Sequence, residues 1–174
     1  MMWRFLVADD TWVDRFIVRD TDGRLTERDA AAVYAWVKSE RAFHCVRDHP
    51  SHASYPLSGG MWGAKPKELA RILRRPWREI MRGVGKDYLD DMNFLNTRIW
   101  PKVQNHTYCS DSVSCNVYPN AYSFPVPRYG YEHVGQVVSE HELGRPIDIN
   151  ILRDTGENTN CVPKGFNHLG VKVS

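Results

Sequence analysis

Apolar residues recur along the first hundred positions in two periods, and each period predicts a different kind of element. Residues 3–8 and 13–19 are short, apolar-rich runs around the polar turn Asp9-Asp10-Thr11 and read as two strands. Thr26 then offers a helix N-cap with Asp29 three residues on. Ala30, Val33, Tyr34 and Val37 follow at helical spacing, which predicts a helix over 27–39. Residues 43–47 read as another strand, running into His49-Pro50. The stretch 51–66 holds Pro, Ser and three Gly and reads as a loop. Leu69, Ile72, Leu73, Trp77 and Ile80 form an apolar stripe at helical spacing, with Arg71, Arg74, Arg75, Arg78 and Arg82 largely off it. Pro76 interrupts that stripe and predicts a kink or two short helices. Over 87–99, Tyr88, Met92, Leu95 and Ile99 share one face of a further helix, which Trp100-Pro101 is expected to end. Beyond Val103 the chain is turn-rich with scattered strand-like pieces, and it holds no internal repeat or low-complexity tract. Strands alternating with helices predict an α/β fold, and 174 residues predict a single domain, 1–174, with a real core.

Composition narrows the partners more than the chemistry. The charged fraction of 25% and hydrophobic fraction of 42% are those of an ordinary globular chain. A net charge of +2 is too small to make nucleic acid the expected partner. It also favours reading the five arginines of 71–82 as a solvated face opposite a buried stripe, over a surface for acidic lipids or phosphates. No apolar stretch reaches the roughly 20 residues of a membrane span, so no transmembrane segment is expected. The N-terminus turns acidic at Asp9-Asp10 and does not read as a signal peptide, so the expected location is cytoplasmic. Cys45, Cys109, Cys115 and Cys161 show no C-x-x-C spacing, and free thiols are the expectation; a Cys109–Cys115 bridge stays open for an oxidising compartment.

The candidate chemistry starts at Arg19-Asp20-Thr21-Asp22-Gly23-Arg24, directly after the apolar run Phe16-Ile17-Val18. Two carboxylates at i and i+2 on a strand end can hold a hard divalent cation such as Mg²⁺ or Mn²⁺, with Arg19 and Arg24 meeting its phosphates. Alone, such a pair is more often a solvated turn. Three His and a Cys fall within 44–52, but His44 and Cys45 of one strand point to opposite faces, which argues against zinc. Arg47, Asp48 and His49, emerging at the strand end, are the better candidates to touch a polar ligand. In Ser58-Gly59-Gly60-Met61-Trp62-Gly63 the glycines permit close backbone approach, and Trp62 either stacks on a sugar or base or plugs into the core. The helix dipole alone accounts for Asp87 and Asp90, whereas Asp91 sits one residue from the buried stripe and can face a cleft.

Taken in order, these pieces resemble a nucleotide-sugar glycosyltransferase of the GT-A type. Arg19 to Arg24 match an Arg-Asp-x-Asp-Ser-Arg-like motif, and residues 43–50 a Phe-His-x-x-Arg-Asp-His-Pro-like strand end. Residues 59–63 match a Gly-Gly-Met-Trp-Gly loop, and 91–96 with Ile99-Trp100-Pro101 an Asp-Gln-x-Phe-Leu-Asn helix that ends in Ile-Trp-Pro. Asp111-Ser112, Phe124-Pro125 and Val134-Gly135 follow as later matches, so the resemblance spans roughly 2–138. Met92 stands where that family pattern has Gln, and Ser110 where it has His. The resemblance implies a mixed sheet flanked by helices and Mn²⁺ or Mg²⁺ held by Asp20 and Asp22. It also implies a nucleotide-sugar donor bound by Arg19, Arg24, Arg47, Asp48, His49, Gly59, Gly60, Trp62 and Gly63, and Asp91 as the catalytic base or sugar-orienting carboxylate. The acceptor is left open. GT-A enzymes carry nucleotide-binding βαβ units upstream of the Asp-x-Asp, whereas here only 19 residues precede it. The expectation is therefore half of an enzyme that works with an upstream half or partner chain, or a shortened form. The rival readings are a non-catalytic binding module on a truncated glycosyltransferase fold, and more distantly a phosphoesterase using Asp20, Asp22 and a nearby His.

Overall fold

The first element departs from the strand expected over 3–8. In the computed structural model, which describes residues 2–85, 87–118, 121–139, 141, 143–156, 158 and 161, the chain opens with a 3₁₀ helix, Met2–Asp9. Its three-residue period sends Phe5 and Ala8 into the core and leaves Trp3 and Leu6 outside. Strand β1, Phe16–Val18, occupies only the end of the expected 13–19. Helix α1, Glu27–Ser39, falls where its signals put it: the Thr26 hydroxyl accepts the Asp29 N–H at 3.2 Å. Strand β2, Phe43–Arg47, also falls as expected and is buried along its whole length.

Inside the expected loop runs a third strand, β3, Trp62–Ala64. Pro76 splits the basic segment into α2, Pro66–Leu73, and α3, Trp77–Ile80. The start of α3 is capped from a distance, because the Asp9 carboxylate accepts the Trp77 and Arg78 N–H groups at 2.6 and 2.9 Å. The next helical path does not stop at Trp100-Pro101. It runs through α4, Asp90–Phe94, a π-helical turn, Leu95–Ile99, and α5, Trp100–Val103. Proline cannot donate to the carbonyl four residues back, and the widened π turn just before it makes room for the ring. Strands β4, Thr107–Asp111, and β5, Ala121–Tyr122, helix α6, Pro146–Thr155, and two 3₁₀ turns, Pro50–His52 and Gln104–His106, complete the described elements.

The result is an α/β fold with one five-stranded mixed sheet of order β1-β3-β2-β4-β5. β3 pairs antiparallel with both β1 and β2, while β2–β4 and β4–β5 are parallel. All strands but β3 therefore point the same way, and the ends of β1, β2 and β4 share one edge with the loop that enters β3. Ligands gather at such a strand-end edge in open α/β sheets.

One face of the sheet carries the main core. Trp62 lies at its centre, with ring centroids of Phe5, Phe16, Phe43 and Trp77 at 5.1 to 5.4 Å. Phe94, Leu95, Ile99 and Leu69 close over it from the helices. On the other face His44 stacks on Trp36 of α1 at 5.1 Å.

The expectation of free thiols is overturned. Cys45 and Cys109 sit directly opposite each other on the parallel strands β2 and β4 and form a disulfide, and Cys115 pairs with Cys161 rather than with Cys109. Among the described residues no helix is long and apolar enough to cross a membrane.

Candidate functional site

At the shared strand-end edge lies a cleft of about 700 Å³. Its walls include Asp20 and Asp22 from the turn after β1, Gly59 and Gly60 from the loop before β3, Asp91 from α4, and His52. The turn is fixed from two sides: the Gly23 N–H bonds to the Asp20 carbonyl at 3.3 Å, and the Val138 N–H to the Asp22 carbonyl at 3.0 Å. Both aspartate side chains remain exposed.

The two glycines have a specific job here. A methyl group on Gly60 would stand 2.2 Å from Asp20 Oδ2, and one on Gly59 would stand 2.7 Å from Asp91 Oδ2. No other residue type lets both carboxylates lie against this backbone. The loop is held by Asn96 of the π turn, whose side chain accepts the Leu57 N–H at 2.9 Å and donates to the Leu57 carbonyl at 2.8 Å. The same amide donates to the Met92 carbonyl at 2.8 Å, so the glycine loop and the helix bearing Asp91 are tied together.

Arg4 joins the acids across the cleft. Its guanidinium is ion-paired with Asp20 and, at 2.8 Å, with Asp91 Oδ2. Asp91 is nearly buried, and its other oxygen accepts the Met92 N–H at 2.9 Å. Just before α4, Leu89 adopts φ 75°, a left-handed conformation that a branched apolar residue enters only at a cost. It stands on the cleft wall, with Tyr88 beside it.

Three histidines pack beneath the cleft. The His49 ring centroid is 4.5 Å from that of His133 and 5.7 Å from that of His52. Both nitrogens of His49 are engaged, with Ser51 at 2.6 Å and the Asp148 carbonyl at 3.1 Å. His52 is different: among the described residues its buried Nδ1 has no partner. Burial first, then the neighbouring His133 and His49, hold the His52 pKa down at about 4. Burial and then His49 do the same for His133, also to about 4. His52 is thus a neutral imidazole on the cleft wall at ordinary pH.

The expected site residues divide sharply by position. Asp20, Asp22, Asp91, Gly59, Gly60 and Arg19 come together around the cleft. Arg19, however, is held by Asp29 through two bonds of 2.9 and 2.7 Å. Arg24 lines a neighbouring cleft with Thr26, Glu27 and Tyr129. Arg47, Asp48 and His49 do not reach the cleft, and all three are fully buried.

Their partners explain why. Arg47 Nε donates to Asp111 at 2.6 Å, and its guanidinium lies 4.4 Å from the Tyr118 ring. Asp48 accepts from Arg28 twice at 2.9 Å, from Arg128 and Ser112 at 2.8 Å, and from the Val134 N–H at 2.9 Å. A buried carboxylate needs that many donors to stay in place, so Asp48 organises the fold. Trp62 fills the core, and Gly63 exists for packing, since a methyl there would stand 2.5 Å from the Phe16 carbonyl of β1.

Sequence reasoning missed Arg4 and Asn96, and weighed His52 only within the stretch 44–52 that was set aside as a zinc site. Arg4 was hidden by reading its segment as a strand. Asn96 stood within a quoted motif, where nothing local signals that it clamps a backbone 39 residues away. Among the described residues no group of three or more His, Cys, Asp or Glu is placed to hold a metal ion. Comparison with known protein families, with characterised proteins and with solved structures finds no match for this chain.

Proposed function

We propose that the cleft is the donor site of a GT-A-type glycosyltransferase, transferring a sugar from a nucleoside-diphosphate sugar with the help of Mn²⁺ or Mg²⁺. The observation that carries this reading is the convergence of Asp20 and Asp91 on the Gly59-Gly60 backbone, with Asp22 beside them.

The donor types would suit a hard cation that brings most of its own ligands. Every acidic donor at the cleft is a carboxylate oxygen, and Gly60 leaves the space that the Asp20 carboxylate fills. With only Asp20 and Asp22 supplied from the turn, the remaining ligands would come from the diphosphate and water, as is common for Mg²⁺. When bound, the ion would neutralise charge on the departing diphosphate.

The chain's own groups supply the rest. Arg4 holds Asp20 and Asp91 in register before any ligand arrives. Asp91 has one oxygen on Arg4 and the other on a backbone N–H, an arrangement that suits orienting a sugar hydroxyl better than accepting a proton. His52, a neutral imidazole, lines the cleft wall beside these groups. Arg19 stands at the wall with its charge already paired to Asp29.

The test is the double variant Asp20→Asn/Asp22→Asn, which should lose metal-dependent binding of the nucleotide sugar while keeping its melting temperature. Unchanged metal-dependent binding would remove these two residues from the site. One observation favours the second reading, a binding module without turnover: Arg4 already pairs with both Asp20 and Asp91 and offsets one of their two charges. Tight donor binding with no sugar transfer or donor hydrolysis would select that reading.

A further inference from the structure

The 3₁₀ helix at the N-terminus exposes a ridge that extends beyond the cleft. Its three-residue period eclipses Trp3, Leu6 and Asp9, and Trp12 follows three residues later in the turn that Asp10 fixes through a 2.9 Å bond. Trp3 is 78% exposed, Leu6 47% and Trp12 95%. The other four tryptophans, Trp36, Trp62, Trp77 and Trp100, are buried, so these two indoles stand out within their own chain. Read as a strand, the segment would have put Trp3 and Leu6 on opposite faces; the helix puts them on one.

Beside this ridge lie the arginines. Arg78 reaches Asp9 at 3.1 Å, at the end of the Trp3–Leu6 ridge, and projects from the side of α3 away from buried Trp77 and Ile80. Arg75 and Arg82, before and after α3, are exposed as well. Over 71–82 there are five arginines and one acid, Glu79. Of the nearby acids, Asp9 caps α3 and pairs with Arg78, Glu79 pairs with Arg75 at 3.8 Å, Asp14 pairs with Lys67 at 3.7 Å, and Asp10 stays on its turn; against the five arginines of 71–82 and Lys67 these four acids leave the segment net basic.

The modest net charge of the whole chain does not weigh against a local field. Charges more than about 10 Å apart are largely screened at ordinary salt, so the arginines at the contact decide. Exposed indoles flanked by arginines match the chemistry of a bilayer interface, where tryptophan sits at the headgroup level and basic side chains meet anionic lipid. We propose that the ridge of Trp3, Leu6 and Trp12, with Arg75, Arg78 and Arg82 beside it, rests on an anionic lipid bilayer. Trp3 belongs both to the ridge and to the wall of the cleft, so the bilayer lies next to the cleft mouth.

Vesicle binding needs neither metal nor nucleotide, so its test stands apart from the donor-site reading. The full chain is mixed with vesicles of phosphatidylcholine containing about 30% phosphatidylglycerol, and with pure phosphatidylcholine vesicles, then sedimented. Binding is expected to the anionic vesicles, weakening as salt is raised. Each basic residue at an anionic leaflet contributes about fivefold in affinity, so Arg75→Gln/Arg78→Gln/Arg82→Gln should lose about a hundredfold. The variant Trp3→Ser/Trp12→Ser should bind weakly and lose the blue shift in tryptophan emission seen with the native chain. All five positions are exposed, so both variants should melt as the native chain does. Failure to sediment with anionic vesicles, or sedimentation that both variants retain, overturns the proposal. So does a dimer in solution that both variants dissociate, which would assign the face to a second copy of the chain.

Discussion

Replacing Gly60 by alanine separates the site from the fold more cleanly than any change to the acids themselves. The new methyl would stand 2.2 Å from Asp20 Oδ2 and 2.5 Å from its Cγ. To restore an ordinary contact of 3.4 Å the carboxylate must retreat by about 1.2 Å. It can do so at small cost, because it is the far end of a half-exposed side chain. Gly60 also lacks the positive φ that would strain an alanine. The fold should therefore be unharmed, or gain up to about 1 kcal/mol from the smaller entropy of the unfolded chain. The site should suffer, since a displacement of about 1 Å at a reacting centre costs on the order of a hundredfold. Mn²⁺ binding followed by electron paramagnetic resonance in the presence of UDP or GDP, alongside thermal melts, measures both sides. An unchanged or higher melting point with a large loss of nucleotide-dependent Mn²⁺ binding is expected. Native-like Mn²⁺ binding in Gly60→Ala would refute the reasoning that Asp20 holds the cation from its observed position.

Three further outcomes follow from the buried interactions. Asp111→Asn keeps an acceptor for the Val113 and Ser114 N–H groups but leaves Arg47 in the core without its counter-charge, and should cost about 3–5 kcal/mol in urea denaturation, whereas the double change Arg47→Met/Asp111→Asn should recover much of that loss; equal losses would contradict the pairing. Burial lowers the pKa of His44 to about 3, and burial beside other histidines lowers those of His52 and His133 to about 4. The unfolded chain then binds more protons than the folded one below about pH 6.5, so stability is full above that pH and falls toward pH 4, by up to about 1.4 kcal/mol per unit for each such histidine. A melting temperature constant from about pH 7.5 to 4.5 would count against this burial. Thiol titration in denaturant without reductant should find no reactive cysteine, and reduction should lower stability by about 4 kcal/mol for each loop of this size. Four titratable thiols would remove both bridges.

How much could be read from the sequence varied with how local the signal was. Helix α1 was legible because Thr26, Asp29 and the apolar spacing all lie within one short segment. The break at Pro76 was legible for the same reason. Strand β3 was not, because three residues with a glycine at the middle look like a turn, and Gly63 is needed only so that β1 can approach. The 3₁₀ helix at 2–9 was misread because a short apolar run fits a period of two as readily as one of three. Asp20, Asp22, Asp91, Gly59 and Gly60 were named from motifs and meet at one cleft. Arg47, Asp48 and His49 were named for the same edge but are consumed by Asp111, Arg28, Arg128 and Asp148, partners up to 99 residues away. The disulfides were hidden in the same way, since Cys45 and Cys109 are 64 residues apart and meet only when β2 and β4 pair.

The central claim is that this cleft binds a nucleoside diphosphate through a cation held by Asp20 and Asp22. Calorimetric titration of UDP and of GDP into the purified chain, with and without Mn²⁺, tests it most directly. The account predicts saturable binding of at least one nucleotide that requires Mn²⁺ and disappears in Asp20→Asn/Asp22→Asn. Absence of binding to either nucleotide in the presence of Mn²⁺, or binding indifferent to the metal, would contradict it.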